Sequence, residues 1–118
     1  MKYLLNSIGI SMIKDSVTLE FNKIGKEQFC KEIQNSTNAI GHESTVQLVN
    51  TLCNTSLKAN RIMITLNPGD IAYIIGINTR LEEGKILTVN ELNALYKENK
   101  IVFYMVTCNK HQFLTQDL

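Results

Sequence analysis

The segment Gly41-His42-Glu43-Ser44-Thr45 places a histidine and two hydroxyl residues where an amphipathic helix is predicted to begin. The first turn of a helix leaves backbone N–H groups unpaired and carries partial positive charge, so it attracts anions. A histidine at that position can donate a hydrogen bond or a proton to a bound group, because imidazole titrates near neutral pH. The same pattern is also that of a plain helix cap, in which His42 and Ser44 serve only structure.

Arginine is scarce in this chain, which makes each arginine a candidate anion ligand. Of the 12 Lys and Arg residues, only Arg61 and Arg80 are arginines. A guanidinium grips a phosphate or carboxylate through two parallel hydrogen bonds, whereas an ammonium acts as a point charge. Arg80 shares the polar segment 79–87 with Glu83, a carboxylate that can orient a sugar hydroxyl, act as a base or pair with the arginine. The alternatives are a solvated ion pair of little value and, for Arg61, a charge that protects an edge strand.

Composition limits the class of protein. The chain has 118 residues, 44% of them hydrophobic, and a net charge of +1. This content favours one hydrophobic core and argues against disorder, while no apolar run approaches the roughly 20 residues of a membrane span. The near-neutral balance argues against a duplex-DNA-binding protein, which would show a basic face.

The cysteines predict a cytoplasmic protein. Cys30, Cys53 and Cys108 are odd in number and widely spaced. A secreted disulfide framework normally uses an even number, and a zinc site needs about four suitably spaced ligands. We therefore expect three buried thiols and neither a metal nor a cofactor.

Hydrophobic periodicity predicts the elements that must position the polar residues. The predicted strands are 3–6, 17–21, 62–66, 71–77 and 101–108, and the predicted helices are 26–35, 42–54 and 88–99. Asn67-Pro68-Gly69-Asp70 is typical of a hairpin turn, and Thr88 with Glu91 forms a capping-box pattern. We expect one compact α/β domain over residues 1–108, with a mixed sheet of about five strands flanked by helices, and a tail over 109–118.

The chemistry-bearing residues together suit a bound phosphodiester. Cleavage of an RNA-type diester without metal needs a 2′-hydroxyl aligned behind phosphorus, donors to the phosphate and an acid for the departing 5′-oxygen. A histidine at a helix start supplies the acid, and the arginines supply the donors.

Three blocks of the sequence then resemble a known family. These are Ile40-Gly41-His42-Glu43-Ser44-Thr45, Asn60-Arg61 and the segment 79–87, which begins Thr79-Arg80-Leu81-Glu82-Glu83-Gly84. Together they resemble the viral anti-CRISPR ring nucleases of type III systems, a domain shared by archaeal viruses, phages and mobile elements. The similarity extends over about residues 1–108.

The resemblance implies a metal-independent homodimer that acts in the host cytoplasm. Members of that family open cyclic tetra-adenylate into linear di-adenylate with a 2′,3′-cyclic phosphate end, which switches off type III CRISPR signalling. The resemblance assigns the general acid to His42, a phosphate contact to Arg80 and a supporting carboxylate to Glu83. It assigns ligand contacts to Asn6, Ser11, Ser44, Arg61 and Ile64.

Two departures keep other functions open. The chain has Gly9 and Gly76 where the family usually has a serine and a glutamine, so side-chain hydrogen bonds to a ligand are lost. One alternative is a module that binds or senses a cyclic oligoadenylate without cutting it. The other is a structural or partner-binding protein in which His42 is only part of a helix cap.

Overall fold

A computed structural model of the chain describes residues 1–82 and 84–111. Its strands are β1 (Lys2–Leu5), β2 (Val17–Ile24), β3 (Thr37–Asn38), β4 (Ile71–Ile77) and β5 (Ile101–Lys110). Its α-helices are α1 (Lys26–Glu32), α2 (Glu43–Cys53) and α3 (Val89–Lys97), and short 3₁₀ helices cover Ile10–Met12 and Ile33–Asn35. The strands form one sheet in the order β2-β5-β4-β1-β3. β1 is parallel to β3 and β4, and β5 is antiparallel to β4 and β2, so the predicted mixed five-stranded α/β fold is confirmed.

All three α-helices pack on one face of the sheet. Phe29 of α1, Val49 of α2 and Leu92 of α3 are completely buried in one cluster there, together with Phe103 of β5. The rings of Phe29 and Phe103 stack with their centroids 4.3 Å apart. The apolar stripe of α2 therefore points into the core and leaves its polar side to face solvent.

The opposite face of the sheet is covered by two irregular segments instead of helices. Met12 from one segment and Ile64 and Leu66 from the other pack against Ile74 of β4. The backbone N–H of Leu66 donates to the carbonyl of Met12 at 2.8 Å, which ties the two segments together. β4 is consequently covered on both faces, as its continuous apolar sequence predicts.

The predicted strand over residues 62–66 is wrong. Its alternating pattern suggested a hairpin partner for β4, but β1 and β5 occupy both sides of β4. The predicted turn does form, with the N–H of Asp70 donating to the carbonyl of Asn67 at 2.9 Å, yet it joins an irregular segment to β4. The fifth strand is instead β3, within a segment that the sequence marks as a polar break.

Several element ends also differ from the prediction. The helix predicted over 26–35 ends as an α-helix at Glu32 and continues as a 3₁₀ turn. β2 runs on to Ile24 because it pairs with β5 along its whole length. β5 continues to Lys110, so the first two residues of the predicted tail belong to the sheet. Residues 112–118 of that tail lie outside the described part of the chain.

The cysteine prediction is wrong for two of the three residues. Cys30 of α1 and Cys53 at the end of α2 form a disulfide, with their Cα atoms 5.1 Å apart. Both helices contribute to the same core cluster, which brings the two cysteines together, and a separation of 23 residues does not reveal this. Cys108 is a buried thiol as predicted, and burial beside the Asp70 carboxylate raises its pKa. None of the helices in the described ranges is long and apolar enough to span a bilayer.

Candidate functional site

Three of the predicted site residues follow parallel strands at the same edge of the sheet. Asn6 comes directly after β1, His42 follows β3, and Arg80 follows β4. Because these strands are parallel, their carboxyl ends meet at one edge, where open α/β sheets usually bind ligands. The topology therefore brings together side chains that are far apart in the sequence.

His42 is the N-cap residue of α2, but its side chain makes no capping hydrogen bond. Its backbone is extended (φ −95°, ψ 119°), and its carbonyl accepts from the N–H of Val46 at 3.1 Å. The imidazole is solvent-exposed at the point where the first-turn N–H groups of the helix face outward. The alternative in which the His42 side chain serves as a helix cap is therefore not what the structure shows.

A cavity of about 710 Å³ lies between α2 and the segment that follows β4. Ser44, Gln47 and Thr51 line one wall, since helical spacing puts them on the exposed face of α2. Arg80 lines the other wall, so two predicted site residues, Ser44 and Arg80, share one cavity. The remaining lining residues are Leu48, Leu81, Glu82, Gly84, Lys85, Ile86 and Leu87. The volume lies within the range of roughly 300–1,000 Å³ that is usual for small-ligand sites.

The cavity combines an apolar floor with a charged rim. Leu48 is buried, and Leu81 and Leu87 pack against the same core cluster. On the rim, the ammonium of Lys85 lies 3.3 Å from a carboxylate oxygen of Glu91, on α3. That ion pair and the hydrogen bonds from Thr88 lower the pKa of the Glu91 carboxyl. Such a floor accepts a flat apolar ring, and such a rim accepts the charged group attached to it.

Arg61 lies beside the residue that precedes His42. A Cβ built on Gly41 would be 3.2 Å from the Cβ, Cγ and Nε atoms of Arg61, so the arginine stem crosses directly over this glycine. The N–H of Asn60 donates to the carbonyl of Ile40 at 2.7 Å and holds the two segments in this register. Because Arg61 lies in an irregular segment, it is not the edge-strand charge that the sequence also allowed.

Five other predicted site residues are not among the described residues that line this cavity: Asn6, Ser11, His42, Arg61 and Ile64. Ser11 is exposed on the 3₁₀ helix Ile10–Met12, and Ile64 packs into the cluster on the helix-free face. In the described part of the chain, the structure does not place them in the lining of the cavity with Ser44 and Arg80. Glu83, the predicted supporting carboxylate, lies outside the described residues.

The two glycine departures have different surroundings. A Cβ on Gly9 would lie 3.8 Å from the hydroxyl oxygen of Ser11, which is ordinary contact. A Cβ on Gly76 would lie only 3.0 Å from a methyl group of Val102, so any larger residue in β4 at this point requires Val102 to shift. Val102 of β5 thus packs into the space beside Gly76 that a side chain at this position would need.

Sequence reasoning missed several residues of the site. Gln47 and Thr51 line the cavity, and their spacing from Ser44 was the signal that placed them on the same helix face. Asn38 and Asn60 connect the segments that carry His42 and Arg61, a role that only the fold reveals. Over residues 1–82 and 84–111, no group of three or more His, Cys, Asp or Glu side chains is arranged to hold a metal ion.

The fold and the cavity define a small α/β protein with a candidate ligand cavity beside α2 and the segment that follows β4. The chain belongs to the STIV B116-like family, whose model matches residues 2–105. It is similar to protein ORF116 of Acidianus filamentous virus 1, with 39% identity over 105 residues that cover 86% of this chain and 90% of the relative. It is also similar to ORF117 of Acidianus two-tailed virus, with 33% identity over 98 residues that cover 79% and 84% of the two chains.

A solved structure supports the same relationship. B116 of Sulfolobus turreted icosahedral virus superposes with a TM-score of 0.83 and 42% sequence identity, covering 90% of this chain and 97% of that chain. These relatives are proteins of archaeal viruses and support an archaeal viral origin for this chain. The comparisons thus confirm a family of archaeal viral proteins, whereas membership of the ring-nuclease family and the ring-nuclease activity itself stay predictions.

Proposed function

We propose that this protein is a metal-independent ring nuclease that cleaves cyclic tetra-adenylate in the host cytoplasm and so switches off type III CRISPR signalling. The observation that carries the proposal is the exposed imidazole of His42, the N-cap residue of α2, which makes no capping bond and follows Gly41, over which the Arg61 stem crosses. The cavity shared by Ser44 and Arg80 adds a place for a nucleotide on the same helix.

The proposed reaction needs one proton donor, one proton acceptor and stabilisation of the phosphate. The 2′-oxygen of a ribose attacks phosphorus, the bond from phosphorus to the 5′-oxygen breaks, and a 2′,3′-cyclic phosphate forms. Protonated His42 donates to the departing 5′-oxygen, and Glu83 accepts the proton of the 2′-hydroxyl. The guanidinium of Arg80 and the first-turn N–H groups of α2 stabilise the negative charge that develops on the phosphate oxygens.

A homodimer suits this reaction, because releasing two dinucleotides from one ring requires two cuts. A two-fold dimer places two equivalent histidines around one ligand. Exposed apolar side chains on the helix-free side of the molecule support a contact with a second copy. Ile10 and Met63 are each 91% exposed, and Ile62 is 43% exposed. Large exposed apolar side chains commonly mark protein–protein contacts.

A non-catalytic binding module is the second candidate function. It is favoured by the packing at Gly76, where Val102 would have to shift to admit a hydrogen-bonding side chain in β4. A site that lacks one such bond loses about 0.5–1.5 kcal/mol of interaction. If the missing hydrogen bond would stabilise the transition state of cleavage and not the bound ring, the protein binds cyclic oligoadenylates and leaves them intact.

One experiment separates these functions. Purified protein is incubated with labelled cyclic tetra-adenylate in EDTA, the products are resolved, and the thermal shift with the unlabelled ring is measured. We expect linear di-adenylate from the wild type and from Gln34→Ala, an exposed control beyond the amino end of β3. A thermal shift with an intact ring indicates the binding module, and the absence of both effects indicates a structural protein. Inhibition by EDTA that added divalent metal reverses would refute the metal-free mechanism.

A further inference from the structure

Two asparagines join the segment after β3 to the segment that follows residue 57. The Asn38 side-chain oxygen accepts from the N–H of Ile40 at 3.0 Å, and its amide nitrogen donates to the carbonyl of Lys58 at 2.7 Å. The amide nitrogen of Asn60 donates back to the carbonyl of Asn38 at 2.8 Å. We call the pair Asn38 and Asn60 the asparagine clasp.

The clasp lies between a buried anchor and two exposed side chains, the His42 imidazole and the Arg61 guanidinium. On the buried side, the N–H of Ala39 donates to the carbonyl of Leu4 at 2.9 Å, and Ile40 is completely buried. On the exposed side, the chain continues to His42 in one segment and to Arg61 in the other. Within the described residues, the clasp and the backbone bond from the N–H of Asn60 to the carbonyl of Ile40 at 2.7 Å are therefore the last hydrogen bonds between the two segments before the imidazole and the guanidinium.

The regular strand ladder has ended here, and one backbone bond, from the N–H of Asn60 to the carbonyl of Ile40 at 2.7 Å, joins the two segments beside the clasp. β3 is only two residues long and pairs with β1 alone, so a continuing ladder cannot hold residues 58–61. Side-chain amides replace the ladder and specify a single register, since each has a distinct donor and acceptor. A Cβ built on Gly41 would lie 3.2 Å from the Arg61 stem, so the close approach of these two segments depends on the glycine.

We infer that Asn38 and Asn60 are positioning residues that set the placement of His42 relative to Arg61. The catalytic consequence of this inference rests on the proposed function. A displacement of about 1 Å in a reacting group can reduce a rate roughly 100-fold, so loosening the clasp lowers turnover without removing any group that touches the ring.

A third asparagine, Asn50, supplies a matched control for a merely structural role. The Asn50 amide nitrogen donates to the carbonyl of Leu57 at 2.8 Å, and its oxygen accepts from the N–H of Leu57 at 2.8 Å and the hydroxyl of Thr55 at 2.7 Å. Asn50 and Asn38 are both half-buried. At a rise of about 1.5 Å per residue, Asn50 lies roughly 12 Å along α2 from His42.

The kinetic test compares Asn38→Ala, Asn60→Asp and Asn50→Ala with the wild type in ring cleavage and thermal unfolding. Asn60→Asp keeps the shape of the exposed Asn60 side chain, replaces the donating amide nitrogen by a carboxylate oxygen and adds a negative charge, so it breaks the clasp even if Asn38→Ala does not fold. We expect kcat to fall about 10- to 100-fold in the two clasp variants. We expect KM to change less than about threefold, because the groups that contact the ring are retained. Asn50→Ala should lose thermal stability like Asn38→Ala and keep kcat within about twofold, whereas an equal loss of kcat in Asn50→Ala overturns the inference.

A second readout does not depend on activity. The chain has two histidines, so nitrogen NMR of the imidazole rings reports on His42 and uses His111 as an internal reference. The clasp variants should shift the His42 signals and leave the His111 signals in place, and Asn50→Ala should shift neither. If the wild type does not cleave the ring, the proposed function fails while this spectrum still tests the clasp. Unchanged His42 signals in folded Asn60→Asp would overturn the positioning role.

Discussion

The helix that lines the candidate cavity, α2, and the helix that follows the cavity's other wall in sequence, α3, begin in opposite ways. α3 begins with a closed capping box, in which the Thr88 hydroxyl accepts from the N–H of Glu91 at 3.2 Å and a Glu91 carboxylate oxygen accepts from the N–H of Thr88 at 3.1 Å. α2 begins at His42 with no side-chain capping bond. One helix start satisfies its own donors, and the other leaves donors and an imidazole available to a ligand.

The open start of α2 is compatible with a stable helix because other contacts hold it. Val46, Val49 and Leu52 are buried along its length, and Cys53 at its far end is bonded to Cys30 of α1. Burying such a side chain contributes about 1.5–3 kcal/mol, more than a typical cap of about 1 kcal/mol. The buried face of α2 and the disulfide at its carboxyl end therefore stabilise the helix, while its first turn keeps N–H groups that a ligand could use.

The largest expected effect is that of His42→Ala, which tests the uncapped start of α2. We expect cleavage of cyclic tetra-adenylate to slow about 10²- to 10⁴-fold, as is usual on loss of a general acid. Binding of the ring should persist, and the free energy of unfolding should change by less than about 0.5 kcal/mol, because the side chain is exposed and caps nothing. Single-turnover kinetics and urea unfolding measure the two quantities. Full activity in this variant would remove His42 from the mechanism.

The disulfide at the carboxyl end of α2 is tested by replacing both Cys30 and Cys53 with alanine. Opening this loop should lower the free energy of unfolding by about 3 kcal/mol, since the disulfide restricts the unfolded chain. We expect the rate of ring cleavage to stay close to that of the wild type at temperatures where both proteins are folded. Denaturant unfolding with and without a reducing agent provides the measurement. If the reducing agent does not change the free energy of unfolding of the wild type, the predicted contribution of the disulfide is wrong.

The capping box of α3 should show the reverse of His42. Thr88→Ala removes the acceptor of the Glu91 N–H, so the free energy of unfolding should fall by about 1 kcal/mol. Turnover should be retained, because Thr88 contributes structure and no proposed contact with the ring. When both variants are measured together, we expect His42→Ala to lose turnover but not stability, and Thr88→Ala to lose stability but not turnover. An equal loss of turnover in the two variants would contradict this contrast.

The smallest effect concerns pH. Hydrogen bonds from Thr88 and the nearby Lys85 lower the pKa of Glu91 below its ordinary value of 4.5. A carboxyl whose pKa is lower in the folded state stabilises the protein above the unfolded pKa, and this contribution is lost as the pH falls through the folded pKa. The wild type should therefore lose slightly more stability than Glu91→Gln when the pH is lowered from about 5.5 to below 4.5. Thermal unfolding of both proteins across that range tests it, and parallel curves would contradict it.

Sequence patterns alone determined the parts of this protein that depend on neighbouring residues. The amphipathic helix after His42, the apolar strand Ile71–Ile77 and the capping box at Thr88 were predictable, because each is specified by spacing within a few residues. The candidate residues His42 and Arg80 were predictable for the same reason, since residue type and local position suggest their chemistry.

Only the tertiary structure decided which distant segments meet. The alternation over residues 62–66 suggested a strand, but β1 and β5 already occupy both edges of β4. The Cys30–Cys53 bond, the cavity shared by Ser44 and Arg80, and the asparagine clasp all join residues that are far apart in sequence. Such pairings are chosen by competition for buried surface and hydrogen-bond partners across the whole chain, and no local pattern records the outcome of that competition.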